Sequence, residues 1–150
     1  MCIRDRDYVM DYYAKNNMTT YHPPIVGVGP NSGDPHYAPE KGTDKEIKEG
    51  DFILLDMWVK MNVPNGVYSD VTKVGFVGDS VPEAFTKVFN IVAASRDAGI
   101  ELAKSAFAEG RELQGWEIDR ACRDVIEEAG YGEYFIHLSL IHISEPTRPY

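Results

Sequence analysis

The spacing of apolar residues along the chain switches between the two-residue period of a strand and the 3.6-residue period of a helix. The helical period is cleanest near the end. Ile118, Ala121, Cys122, Val125, Ile126 and Ala129 fall at i, i+3, i+4, i+7, i+8 and i+11, which is one face of a helix closed by Gly130. Upstream, Ser80-Val81-Pro82-Glu83 reads as a capping box with proline in the first turn. It predicts a long helix running to about Ala108 and closed by Gly110, with Gly99 as a weak point inside it. Residues 7–18 read as the end of a further helix, stopped at Asn16-Asn17.

The strand signals lie between these helices. Phe52-Ile53-Leu54-Leu55-Asp56-Met57-Trp58-Val59 is a continuous apolar run broken by one carboxylate, as expected of a buried strand. Residues 67–77 form a second strand after the loop Asn62-Val63-Pro64-Asn65-Gly66. Residues 22–42 are rich in Pro and Gly and read as loop, apart from a short strand at Ile25-Val26-Gly27-Val28. Lys45 to Asp51 is polar and turns at Gly50-Asp51, and Tyr134-Phe135-Ile136 reads as a short final strand. Helix, strands, two helices and a strand predict an α+β domain, with no internal repeat.

Composition narrows the function classes. The chain has 150 residues, 43% hydrophobic and 26% charged, which suits one ordinary globular domain. A net charge of −9 disfavours nucleic acid and anionic membrane as partners and suits cations. No apolar run approaches the roughly 20 residues that span a bilayer, and the N-terminus lacks the apolar core of a signal peptide, so the expected location is cytoplasmic. The two cysteines, Cys2 and Cys122, show no zinc spacing, and Cys122 is expected in the core.

The two ends carry a different signal. Met1-Cys2-Ile3-Arg4-Asp5 reads as ATG TGT ATA AGA GAC, and Leu138-Ser139-Leu140-Ile141-His142-Ile143 as CTG TCT CTT ATA CAC ATC. These strings are reverse complements over nearly their whole length and look like the transposon end of a sequencing adapter. Residues 1–6 and 138–150 are therefore expected to be adapter-derived, and 7–137 to be part of one catalytic domain cut at both ends. Leaving out 1–6, net +1, and 138–150, net 0, brings the remainder to −10. His142 is then no candidate ligand.

Asp56 is the residue that asks for a chemical explanation. A charge in a buried strand is costly unless it is paired, hydrogen-bonded or metal-bound. Asp70 is a second carboxylate among β-forming residues, and two carboxylates brought together repel unless a proton or a cation lies between them. A pairing register whose residue numbers total 126 sets Asp56 opposite Asp70, with the hairpin centred on Val63. A two-residue turn on Asn65-Gly66 gives 131 instead and sets Asp70 opposite Met61. The sequence leaves both open, along with a plain turn-capping Asp and an exposed one.

Three strings in order carry a family resemblance: Asn31-Ser32-Gly33-Asp34-Pro35-His36-Tyr37, then Gly50-Asp51-Phe52-Ile53-Leu54-Leu55-Asp56, then Tyr68-Ser69-Asp70-Val71-Thr72. With Gly130-Tyr131-Gly132-Glu133-Tyr134-Phe135-Ile136-His137, which looks like the approach to an H-x-x-G-H motif, they resemble the creatinase/aminopeptidase metallopeptidases of family M24. The nearest branch is Xaa-Pro aminopeptidase and prolidase. The resemblance spans essentially all of 7–137 and implies the first pseudo-symmetric half of a pita-bread fold plus the start of the second.

It also implies two divalent metal ions (Mn, Co, Zn or Fe) held by two Asp, one His and two Glu. Asp56 would chelate one metal and Asp70 would bridge both, and a bridged hydroxide would attack the scissile carbonyl. His36 matches a substrate-side histidine that is not a ligand, and His137 matches the first, substrate-contacting His of H-x-x-G-H. The metal-binding His would fall at position 141, where Ile141 stands, and the two Glu lie beyond the chain. His22 reads as a loop residue. The fourteen-residue step from Asp56 to Asp70 is longer than the family's usual one, which implies a longer hairpin loop at Asn62-Val63-Pro64.

The expected partner is a peptide substrate, with a homodimer left open for the intact parent. This chain by itself is expected to be inactive. The alternatives are a methionine aminopeptidase, a non-catalytic binding module on the same fold, and a creatinase-like hydrolase.

Overall fold

The computed structural model describes residues 2–42 and 44–136. Helix α1 (Cys2–Lys15) is followed by strands β1 (Met18–Thr19) and β2 (Ile25–Val28), a 3-10 turn over Gly29–Gly33, and strands β3 (Phe52–Met61) and β4 (Ser69–Phe76). Helices α2 (Glu83–Ala108) and α3 (Gly115–Glu128) and a 3-10 turn over Gly132–Tyr134 complete the order. The class is α+β, as the pattern of periods predicts. The elements fall into two compact units, residues up to 81 and residues from 82.

The first unit is an antiparallel sheet with β3 at its centre. β2 pairs along one edge of β3 (Ile25 with Asp56 through Val28 with Ile53), and β1 pairs further along it. β4 takes the opposite edge, from Phe52 with Phe76 to Val59 with Ser69. Val26 and Val28 are buried, with Ile47 and Leu55 packed against them, on the face opposite Asp56. The expected stop of α1 is where the sequence puts it. Asn16 Nδ2 donates to the Tyr12 carbonyl at 2.8 Å, and Asn17 takes a left-handed φ of 54°.

In the second unit α2 and α3 pack closely. The Ser95 hydroxyl donates to the Cys122 carbonyl at 2.8 Å in a buried contact. A Cβ on Gly99 would sit 2.6 Å from Cys122 Sγ, so the glycine that weakens α2 is what lets α3 approach. Ile118, Cys122 and Ile126 of the predicted apolar face are buried. Asp119 is buried beside them, held by Arg123 at 3.3 Å.

Two sequence expectations fail here. The Ser80–Glu83 capping box does not form: α2 starts at Glu83, after Pro82 in an extended conformation. The residue before a proline disfavours helix, so Val81 cannot belong to a first turn that begins at Ser80. The Tyr134–Ile136 strand is absent too. Gly132–Tyr134 is a 3-10 turn, and the Phe135 carbonyl accepts from Arg123 Nη1 at 2.8 Å instead of from a neighbouring strand. Among the described residues no helix is long and apolar enough to cross a membrane.

Candidate functional site

The β3–β4 hairpin decides whether the two carboxylates meet. Its register totals 128, so neither expected register occurs: Asp56 faces Thr72, and Asp70 faces Trp58. The cause lies in the loop. The Gly66 N–H bonds the Val63 carbonyl at 3.1 Å, and Asn65 has φ 59°. The turn is thus centred on Pro64-Asn65, with proline's fixed φ first and a left-handed residue second, rather than on Asn65-Gly66.

Strand side chains alternate between faces. The observed register puts Asp56, Trp58, Asp70 and Thr72 on one face, with the two aspartates as diagonal neighbours. Such neighbours stand about 7–8 Å apart at Cα, within reach of a shared ion. Opposite faces, the arrangement that would remove the chemistry, are excluded.

Each carboxylate is set differently. Asp56 sits mid-strand and half-buried, with Ile25 on one side and Thr72 on the other. Its Oδ1 accepts from the Thr72 hydroxyl at 2.7 Å, which fixes the carboxylate plane. Asp70 lies at the open start of β4 and has no hydrogen bond among the described residues. Lost hydration and, after it, the charge of Asp56 push its pKa above the usual carboxylate value. Three oxygens of the pair therefore remain as acceptors, and the pair gains from any cation placed between them. That is the donor set a hard divalent ion takes. It fits part of a metal site, since no group of three or more His, Cys, Asp and Glu is gathered among the described residues.

His36 lies on an exposed turn after the first 3-10 turn, where its N–H donates to Asp34 Oδ1 at 2.9 Å. His137 lies outside the described residues. Sequence reasoning left out an aromatic group on the carboxylate face. The Tyr21 and Trp58 ring centroids are 6.5 Å apart, His22 and Trp58 6.0 Å, and Tyr21 and Tyr68 5.5 Å, while Lys60 Nζ stands 5.1 Å from the Tyr68 ring. His22 is a loop residue, as expected, and its ring lies near that of Trp58. The signal for Trp58 and Lys60 was their spacing: two and four residues after Asp56 in one strand is the same face.

Comparison with known proteins shows the family. The family model described as "Metallopeptidase family M24" matches residues 5–144. A "Putative Xaa-Pro aminopeptidase" of Mycoplasma pneumoniae is 35% identical over 125 residues, 83% of this chain and 31% of the relative. An "Xaa-Pro dipeptidase" of Pyrococcus furiosus is 33% identical over 75% of this chain and 29% of its own length. A "Probable dipeptidase PepE" of Mycobacterium tuberculosis is 32% identical over 75% and 27%. The chain thus spans under a third of these relatives. Its mix of helices and antiparallel sheet is that of part of a pita-bread domain. With the family model matched across nearly its whole length and both hairpin aspartates turned to one face, this chain belongs to metallopeptidase family M24.

Proposed function

We propose that the protein represented by this chain is a peptidase that uses two divalent metal ions to cleave at Xaa-Pro bonds. One observation carries the reading: Asp56 and Asp70 share a face of one hairpin, close enough that the charge of one raises the pKa of the other. Repulsion of that kind is relieved by bound cations. Asp56, oriented by Thr72, would chelate one metal, and Asp70, with both oxygens open, would bridge the two. Metal bound there supplies Lewis-acid polarisation of the scissile carbonyl and a lowered pKa for an attacking water.

His36 and His137 would hold the substrate, and Mn, Co, Zn and Fe all suit a site completed by imidazole and carboxylate. The Xaa-Pro preference rests on the names of the relatives. A methionine aminopeptidase is the competing specificity, and a peptide panel separates the two.

Calorimetric titration with Mn²⁺ tests the metal reading. Weak binding that disappears in Asp70→Asn supports it, and equal heats in both proteins overturn it. Because Asp56 and Asp70 are two of the five ligands the reading requires and no group of three or more candidate ligands is gathered among the described residues, the 150-residue chain is expected to hydrolyse no Ala-Pro. Robust hydrolysis abolished by Asp70→Ala would refute that part.

A further inference from the structure

The metal reading leaves Asp119 without a role. It is buried on α3, beside the apolar residues of the helix–helix contact. A buried carboxylate is costly, and pairing it with a cation rarely returns more than an apolar pair would. Arg123, one turn on, donates to Asp119 Oδ2 from Nε at 3.3 Å. That contact fixes the plane of the guanidinium. Its Nη1 donates to the Phe135 carbonyl at 2.8 Å, and its Cζ stands 4.5 Å from the centroid of the Phe135 ring. One side chain thus holds both the backbone and the ring of a single residue.

Phe135 lies in a stretch with no strand ladder to hold it. Helix α3 ends at a left-handed Gly130, φ 81°, where the Tyr131 N–H bonds the Ile126 carbonyl at 3.0 Å. The chain then runs back along α3 through the second 3-10 turn. Gly132 passes so close that a Cβ there would sit 2.8 Å from Glu127 Cγ, and Lys87 Nζ of α2 stands 5.9 Å from the Tyr131 ring. Among the described residues, the bonds to Phe135 are the last made along the backbone. From there the chain reaches His137 in two residues, at most about 7 Å.

We propose that Arg123, seated by Asp119, is a positioning residue that sets where the chain enters the histidine motif beginning at His137. The inference rests on the peptidase reading, which gives His137 a substrate to hold, and adds a residue that acts through Phe135. A guanidinium suits the task. Its nitrogens keep fixed angles, so one meets Asp119 while another meets a carbonyl. Because the second bond goes to backbone, it fixes the course of the chain whatever side chains follow. An ammonium at the same place would neutralise Asp119 but has one nitrogen and no fork. Arg123→Lys therefore separates two duties, stabilising α3 and placing the segment.

The test is nuclear magnetic resonance and thermal melting of the full chain, without metal or peptide. His137→Gln assigns the His137 ring signals among those of the four histidines. In Arg123→Lys the melting temperature and the exchange of the Tyr131 N–H are expected to stay near wild type. The Phe135 N–H, bonded to the Gly132 carbonyl at 3.1 Å, is expected to exchange about tenfold faster, as for the loss of one charge-assisted bond. The His137 ring signals are expected to move while those of His22 and His36 stay. Arg123→Gln, which takes the cation from Asp119, is expected to lower the melting temperature as well. Unchanged Phe135 exchange or unmoved His137 signals in Arg123→Lys overturn the proposal. So does a fall in melting temperature or in Tyr131 protection in that variant, since Arg123 would then serve only the helix end. The Mn²⁺ titration is independent of these readings. Mn²⁺ binding with unmoved His137 signals sinks the positioning role and spares the peptidase, and moved signals without Mn²⁺ binding do the reverse.

Discussion

At Asp70 two unfavourable effects act on one carboxylate: partial loss of hydration and the neighbouring charge of Asp56. Both raise its folded-state pKa above the unfolded value, so the folded state holds the proton more tightly. Its contribution is then favourable at low pH and is lost as pH rises from about 3.8 through the raised value. For the metal-free chain, Asp70→Asn is expected to raise the melting temperature at neutral pH, with the gain shrinking as pH falls below the carboxylate range. Paired thermal melts at pH 7 and pH 4 check this. The same proton competes with metal, so Mn²⁺ affinity is expected to fall on acidification. Thr72 acts through Asp56, whose carboxylate it orients at 2.7 Å. Thr72→Val is expected to weaken Mn²⁺ binding about 10–100-fold with little change in fold, and calorimetry with circular dichroism reads both. Asp56 and Asp70 were legible as candidates because charge in an apolar run is costly. Thr72 was not, because its role depends on a register the sequence left open.

Elements were most legible where periodicity was long. The α3 face and the limits of α2 at Ala108 and Gly110 needed only the 3.6-residue pattern and a glycine, which takes φ 65° at position 110. The hairpin was legible as two strands but not in register. Pro64 competes with Asn65-Gly66 for the turn, and the proline-centred turn wins. Gly99 changes meaning altogether. In sequence it is a cost to α2, and in the fold it is the contact that admits Cys122. Gly99→Ala is therefore expected to destabilise the helix pair by about 1–3 kcal/mol through overpacking, despite alanine's better helix propensity. Chemical denaturation measures this, and Gly99→Ala with Cys122→Ala is expected to recover much of the loss.

For the whole molecule, family membership follows from ordered strings spread over most of the chain, and the relatives are matched over under a third of their length. Surface chemistry gives a further expectation. β4 has no ladder partner on its outer edge among the described residues, and Val71 and Val74 on it and Phe85, Phe89 and Val92 on α2 are exposed. Open strand edges and exposed apolar stripes favour association, against the self-repulsion of a net charge of −9. Sedimentation velocity is expected to show growth in mean mass with concentration, more so at high salt, where the repulsion is screened. A single monomer boundary under all conditions would count against it.

The sequence by itself determined the α+β class, the helix faces, the central strand carrying Asp56 and the two carboxylates as a candidate metal pair. These follow from local periods and from the cost of burying a charge, both properties of short stretches. Only the tertiary structure decided that Asp70 faces Trp58 and Thr72 faces Asp56, that Ser80 caps nothing, and that Tyr134–Ile136 is not a strand. The missing cap follows from the proline next to Val81, and the other three depend on what a distant residue offers. A turn choice at Pro64 sets every cross-strand partner, and a strand exists only where another stands beside it to take its hydrogen bonds.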